Sequence, residues 1–124
     1  VRLDPSAANY NNLGSVLLEQ NKLESAALHL QQAIKSGHLS ISYYILGLTR
    51  EKQGKLEEAA ESFKMSLKDP MTEPAALAER NLAVGRVYFA QELYLQGDHY
   101  LGEAFRLDPK LREEIDKIKE QQKK

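Results

Sequence analysis

The sequence predicts an all-α fold, and both the spacing and the types of its residues support this prediction. Apolar residues recur at intervals of three and four, as in Leu13, Val16 and Leu17, which is the period of an amphipathic helix. Helix-forming Leu, Ala, Glu, Gln and Lys dominate the chain, whereas it has only 7 Gly and 4 Pro. No stretch alternates between apolar and polar residues over the length of a strand.

The composition is that of one ordinary folded domain. Of the 124 residues, 42% are hydrophobic and 28% are charged, and 17 Lys and Arg nearly balance 18 Asp and Glu. The chain therefore has no basic excess that would predict a nucleic-acid partner, and its apolar runs are too short to predict membrane insertion. The absence of Cys excludes disulfides and thiolate chemistry but leaves the cellular compartment open.

One pattern occurs three times along the chain. Gly14, Gly47 and Gly85 each follow a Leu or a Val, and apolar or small residues recur at the same distances after each glycine. The glycine and the small residue twelve positions later would let the two helices of one copy approach closely where they cross. The positions nine, twelve, sixteen, nineteen and twenty residues later are Leu23, Ala26, Leu30, Ala33 and Ile34 in the first copy, Leu56, Ala59, Phe63, Ser66 and Leu67 in the second, and Tyr94, Gly97, Leu101, Ala104 and Phe105 in the third.

The three copies resemble the tetratricopeptide repeat, whose pattern is W-x2-L-G-x2-Y, then A-x3-F, then P. The resemblance implies an α-solenoid of antiparallel helix pairs, wound as a right-handed superhelix, with about seven helices in a single domain over residues 1–124. It places the repeats at about residues 6–38, 40–69 and 73–108 and a capping helix at about 109–121. It assigns packing within and between repeats to Leu13, Gly14, Ala26, Leu46, Gly47, Ala59, Phe63, Gly85, Tyr88 and Leu101.

The junction between the second and third copies carries an insertion. Gly47 follows Gly14 by 33 residues, whereas Gly85 follows Gly47 by 38. We expect the extra residues to lengthen the next helix, with Thr72 or Glu73 as its N-cap and Pro74 in its first turn.

The third copy allows two registers, because Gly97 stands where Ala is usual and Asp98 where an apolar residue is usual. In the first register, Leu101, Ala104 and Phe105 match Leu30, Ala33 and Ile34 of the first copy. In the second, the preceding helix extends to about Tyr94 and the residues around Gly97 form the turn. We expect the first, since only it aligns the apolar positions of the copies.

The two ends of the chain share a tetrapeptide, since Arg2-Leu3-Asp4-Pro5 recurs as Arg106-Leu107-Asp108-Pro109. This repetition predicts that the chain begins with the tail of an earlier helix, as in a piece of a longer protein. After the second occurrence, Asp108 can cap a helix with Pro109 in its first turn, and an apolar stripe follows. We expect this helix to cover the last repeat with the stripe Leu111, Ile115 and Ile118.

The residues predict no catalytic site, no metal site and no cofactor. The histidines, His29, His38 and His99, have no second His at helical ligand spacing, and only His99 is followed four residues later by a carboxylate, Glu103. No phosphate-binding loop, dinucleotide fingerprint or nucleophile elbow occurs. We therefore expect a protein that is not an enzyme.

The resemblance implies a concave groove for a partner protein on the first helices of the repeats. Tyr43 matches the buried aromatic position, and adjacent helical residues point about 100° apart, so Tyr44 is expected to face the groove. The positions that match the groove of the family are Asn11, Ser15, Leu18, Tyr44, Leu48, Glu51, Leu82, Arg86 and Phe89.

A subset of the family grips the carboxylate of chaperone tails with Lys, Asn and Arg, and this chain lacks the cations. Its residues at the matching positions are Asn11, Ser15, Ile45, Glu79 and Ala83. We expect it not to bind such tails. The leading hypothesis is an adaptor that binds a peptide or a helix of another protein. The alternatives are a structural spacer or self-association segment of a longer array, and an accessory domain of a larger enzyme.

Overall fold

A computed structural model describes residues 5–37 and 40–121, and these residues form seven α-helices and one short 3-10 turn. The helices are α1 (Pro5–Glu19), α2 (Leu23–Lys35), α3 (Ser40–Lys52), α4 (Leu56–Ser66), α5 (Pro74–Ala90), α6 (Tyr94–Leu107) and α7 (Arg112–Gln121), with the 3-10 turn at Pro109–Leu111. No strand occurs in these ranges, and the all-α prediction is confirmed. Arg2, Leu3, Asp4 and His38 lie outside the described residues.

The helices form three pairs, α1 with α2, α3 with α4 and α5 with α6. Each pair packs on the next through its second helix, so α2 contacts α3 and α4 contacts α5. Helix α7 follows the third pair and packs on both α5 and α6. One pair cannot bury its own apolar face, and stacking supplies the missing cover.

The turn inside each pair has the same backbone geometry. The second residue after the helix end has a positive φ, which is 63° at Asn21, 78° at Gly54 and 64° at Glu92. The next amide donates to a carbonyl five residues earlier, as Leu93 does to Tyr88 at 2.9 Å. This is the Schellman ending, which reverses the chain and satisfies the last carbonyls of the helix.

Close approach of the two helices depends on the repeated glycines. The side chain of Leu30 lies over Gly14, that of Phe63 over Gly47 and that of Leu101 over Gly85. A Cβ atom added at Gly47 would lie 2.5 Å from Cδ1 of Phe63. Only a residue without a side chain allows these contacts. Ala26, Ala59, Phe63 and Leu101, which were assigned to packing, are 0 to 1% exposed.

The third pair adopts the first of the two registers. Helix α5 ends at Ala90 and α6 begins at Tyr94, so Gly97 lies inside α6 and not in a turn. The ring of Phe89 occupies the space where a side chain at Gly97 would be. The glycine is therefore the counterpart of a large aromatic residue on the facing helix.

The insertion lengthens α5, as expected from the sequence. Helix α5 has 17 residues, compared with 13 in α3. Glu73 occupies the N-cap with extended backbone (φ −65°, ψ 149°), and Pro74 opens the helix, although the Glu73 side chain makes no capping hydrogen bond. The Thr72 hydroxyl instead accepts a hydrogen bond from Arg80 at 3.3 Å.

Helix α7 covers the third pair with its apolar stripe. The Asp108 side chain accepts a hydrogen bond from the Lys110 amide at 3.1 Å and so caps the turn that leads into α7. Leu111, Ile115 and Ile118 are buried in one cluster with residues of α5 and α6. This capping helix was expected from the sequence.

Two residues assigned to repeat packing lie at less buried positions. Leu13 is 45% exposed, because α1 packs on α2 and α3 through other faces. Leu46, which occupies the same position on α3, is 5% exposed. Tyr88 is half-buried, and its hydroxyl accepts a hydrogen bond from Lys64 Nζ at 3.1 Å, so it links the second and third pairs.

Candidate functional site

The candidate site lies on the first helices of the pairs, α1, α3 and α5, which we call the first-helix face. Side chains on these helices contact one another directly. The Ser42 hydroxyl of α3 donates to Oδ1 of Asn11 on α1 at 2.7 Å, and Arg86 of α5 pairs with Glu51 of α3. The three helices therefore form one continuous surface on the described residues.

Tyr44 lies near the centre of this face. Its ring packs against Phe63, with 5.7 Å between the ring centroids, and the Arg80 guanidinium lies 5.7 Å from the centroid of the Tyr44 ring. Burial raises the pKa of the Tyr44 hydroxyl, and the negative charge of Glu79 raises it further. The Tyr44 side chain therefore packs on both neighbours while part of it stays accessible.

Glu51 and Arg86 form a two-pronged ion pair between α3 and α5. Arg86 Nε donates to Oε2 of Glu51 and Nη2 donates to Oε1, both at 2.7 Å. The hydrogen bonds to Glu51 raise the pKa of Arg86. Side-chain exposures of 35% for Arg86 and 25% for Glu51 leave both groups partly open to a ligand. Their charges cancel locally, so this part of the face is polar without a net charge.

Arg80 is a buried cation that the sequence reasoning did not single out. It is 7% exposed, and its Nη1 donates to the Ser40 hydroxyl at 2.5 Å, the Ser66 carbonyl at 2.8 Å and the Thr72 hydroxyl at 3.3 Å. Desolvation lowers its pKa, although Asp69 opposes that effect. Arg80 joins α3, the end of α4 and the inserted loop to α5. The sequence signal that could have identified Arg80 is its alignment with Ser42, because a long cationic side chain stands where the second copy has a small hydroxyl.

The expected groove residues of α1 are unequally accessible. Asn11 is only 7% exposed, since it bonds with Ser42, while Ser15 and Leu18 are half-buried. On α3, Leu48 is also half-buried and packs at the edge of the core that holds Phe63. Among the expected groove residues of α1 and α3, the apolar ones that remain partly accessible are Leu18, Tyr44 and Leu48.

The structure corrects the expectation for Leu82 and Phe89. They are 2% and 5% exposed and belong to the cluster that α7 covers with Ile115 and Ile118. Phe89 also packs edge to face on Tyr94, with 5.2 Å between their centroids. These two side chains are part of the core, and neither forms the floor of a groove.

The described residues contain no group of three or more His, Asp or Glu side chains that could hold a metal ion. None of the helices in residues 5–37 and 40–121 has the length and apolar character of a membrane span. The site consists of side chains that can recognise another molecule by packing, hydrogen bonding and charge.

Comparison with known families decides what the fold is. Residues 7–36 and residues 41–68 match the family model of the tetratricopeptide repeat. The chain is a tetratricopeptide-repeat protein. The matched ranges cover nearly all of the first two pairs, α1 with α2 and α3 with α4, and the third pair has the same glycine contact and the same turn. No curated protein matches the chain.

Solved structures share this tetratricopeptide-repeat fold. The crystal structure of MamA superposes with a TM-score of 0.75 at 23% identity, covering 86% of this chain and 61% of the MamA chain. The chain thus spans about 61% of the length of that neighbour. The N-terminal domain of stress-induced protein-1 (STI-1) from C. elegans superposes with a TM-score of 0.81 at 15% identity, covering 92% of this chain and 94% of that one. At these identities the likeness concerns the fold alone.

Proposed function

We propose that this tetratricopeptide-repeat protein is a non-enzymatic adaptor that binds a peptide or a helix of a partner protein on its first-helix face. Proteins of this fold generally serve as protein–protein interaction scaffolds. The observation that carries the proposal is Tyr44, a partly accessible aromatic ring that packs on Phe63 and lies beside the Arg80 guanidinium. A ring already held in place loses little conformational freedom when a partner packs on it.

The chemistry of the face favours a partner that is apolar and carries little net charge. Leu18, Tyr44 and Leu48 offer apolar contacts, and Glu51 with Arg86 offers one polar edge whose charges cancel. An amphipathic helix, or an extended segment with apolar anchors, fits this combination better than a strongly charged tail. Because α7 covers Leu82 and Phe89, the binding surface would lie on α1 and α3 and end at Arg86 of α5.

The face offers little to an acidic chaperone tail. Of the positions that match the carboxylate clamp, Asn11 bonds with Ser42 and Ala83 is fully buried, while Glu79 is exposed and would repel a carboxylate. Titration calorimetry with a chaperone C-terminal peptide should give no binding signal. Salt-sensitive micromolar binding would contradict this part of the proposal.

A matched pair of leucine variants tests the adaptor function. Peptides selected from a random display library on the wild-type chain would be measured against Leu48→Ala and against Leu28→Ala, which truncates a 63% exposed leucine on α2. Loss of a central anchor costs roughly 2 kcal/mol, or about thirtyfold in Kd, whereas a leucine outside the interface costs nothing. Equal weakening by both variants, or by Leu28→Ala alone, would contradict the proposed face.

A further inference from the structure

Helices α3 and α5 carry charged side chains at both ends of the surface between them, and one of these charges lacks a partner. At one end Glu51 of α3 pairs with Arg86 of α5 at 2.7 Å. At the other end lies Glu79 of α5, which is exposed and forms no ion pair with any residue in the described part of the chain. Its carboxylate is therefore an uncompensated charge on the first-helix face.

The place of Glu79 on the face follows from its neighbours on α3. The hydroxyl of Ser40, the first residue of α3, accepts a hydrogen bond from Arg80, the residue that follows Glu79. Of the charged side chains around Tyr44, Glu79 has the largest effect on the pKa of its hydroxyl, which it raises. Glu79 therefore lies beside the first two turns of α3.

The neighbouring cation Arg80 is committed elsewhere. Its guanidinium donates to two hydroxyl groups and to one main-chain carbonyl, and it is 7% exposed. Desolvation lowers its pKa, and the carboxylate that opposes this effect is Asp69, not Glu79. Arg80 thus supports the junction between the helices, while Glu79 points its charge toward solvent and toward any bound segment.

An apolar strip on α3 adjoins this carboxylate. Ile41, Tyr44 and Leu48 are spaced by three and four residues, so they lie on one side of the helix. Ile41 is 38% exposed, and Tyr44 and Leu48 are half-buried against the cluster that contains Ala83 of α5. A bound segment that packs on this strip would pass close to Glu79.

We propose that the partner segment carries a Lys or an Arg that pairs with Glu79, next to apolar side chains that pack on Ile41, Tyr44 and Leu48. This inference rests on the adaptor function and specifies the chemistry of the segment. An acidic segment would place like charges together, and a wholly apolar segment would desolvate the Glu79 carboxylate without a partner. A basic residue beside the apolar anchors avoids both costs.

Parallel selections from one random peptide library, on the wild-type chain and on Glu79→Gln, test the proposal. Peptides selected on the wild-type chain should share a Lys or an Arg at a constant spacing from an apolar residue, and peptides selected on Glu79→Gln should not. The Kd of a wild-type-selected peptide should rise about tenfold with Glu79→Gln, as loss of a close charge pair across an interface requires. Glu57→Gln, which changes an exposed glutamate on α4, is the matched control and should leave Kd unchanged.

A thermodynamic cycle identifies the pairing itself. Replacing the basic residue of the peptide by Met should weaken binding to the wild-type chain about tenfold and binding to Glu79→Gln much less. Equal weakening of both complexes would overturn the pairing, because the basic residue would then act through another group.

Leu48→Ala separates this inference from the adaptor function. If Leu48→Ala weakens binding while Glu79→Gln leaves Kd unchanged, the role of Glu79 is overturned and the binding face stands. If neither substitution weakens binding, the peptides bind elsewhere, and the face and the role of Glu79 are both overturned.

Discussion

Single glycines determine how closely the helices of each pair approach, and Gly47 and Gly102 form a contrasting pair. A methyl group at Gly47 would collide with the Phe63 ring, while the space at Gly102 on α6 is open. Gly47→Ala should therefore lower the free energy of unfolding by about 1–3 kcal/mol, as overpacking does. Gly102→Ala should raise it by about 0.5–1 kcal/mol through helix propensity. Denaturant unfolding followed by circular dichroism measures both changes, and equal effects of the same sign would contradict the packing described.

Arg80 makes a second prediction at the scale of one residue. Arg80→Met replaces the guanidinium with an apolar side chain of similar length and so removes the hydrogen bonds to Ser40, Ser66 and Thr72. We expect the free energy of unfolding to fall by roughly 2–3 kcal/mol, because hydrogen bonds to a buried charged group are stronger than average. Arg106→Met, which breaks an exposed ion pair with Glu103, is the control and should leave stability nearly unchanged. If the two variants were equally stable, the hydrogen bonds of Arg80 would not contribute to the stability of the fold.

At the scale of the elements, the three turns share one backbone geometry, but the residues that adopt the positive φ differ in how easily they do so. Gly54 adopts its positive φ without strain, while Glu92 adopts the same conformation with a side chain. Glu92→Gly should raise the free energy of unfolding by about 1 kcal/mol, and Gly54→Ala should lower it by a similar amount. The two shifts would be measured as midpoint changes in urea. A loss of stability in Glu92→Gly would show that the glutamate side chain contributes more than its backbone costs.

The helices could be predicted because their signals are local. Proline at the start of α5, Asp108 before α7 and the spacing of the apolar residues all lie within the segments they define. The register of the third pair followed from alignment with the first two. The exposure of Leu13 could not be predicted, since the residue matches its counterparts and only the presence or absence of a neighbouring helix distinguishes it.

The positions of Leu82 and Phe89 show the same limit for the site. Both residues occupy groove positions in the repeat, and their sequence gives no sign of burial. What removes them from the surface is α7, which packs on α5 through Ile115 and Ile118. Tyr44 and Leu48 lie on α3, which α7 does not contact in the described part of the chain, and they remain partly accessible. Sequence periodicity identifies which face a residue occupies, whereas tertiary packing decides whether that face is available.

At the scale of the whole molecule, the stacking of the pairs and the position of α7 determine which apolar side chains of the first-helix face are accessible. Leu18, Tyr44 and Leu48 on α1 and α3 remain partly accessible. Helix α7 covers the third pair, and its Lys119 pairs with Asp98 of α6 at 3.3 Å. We therefore expect substitutions on α7 to affect stability more than binding on the first-helix face.

The most direct test of the adaptor function is a map of backbone amide chemical shifts during titration with a peptide selected on the wild-type chain. We expect the largest changes on α1 and α3 around Leu18, Tyr44 and Leu48, extending to Arg86 on α5. The outer helices α2 and α4 should change little. The largest changes on α2, α4 or α6, with α3 unaffected, would contradict binding on the first-helix face.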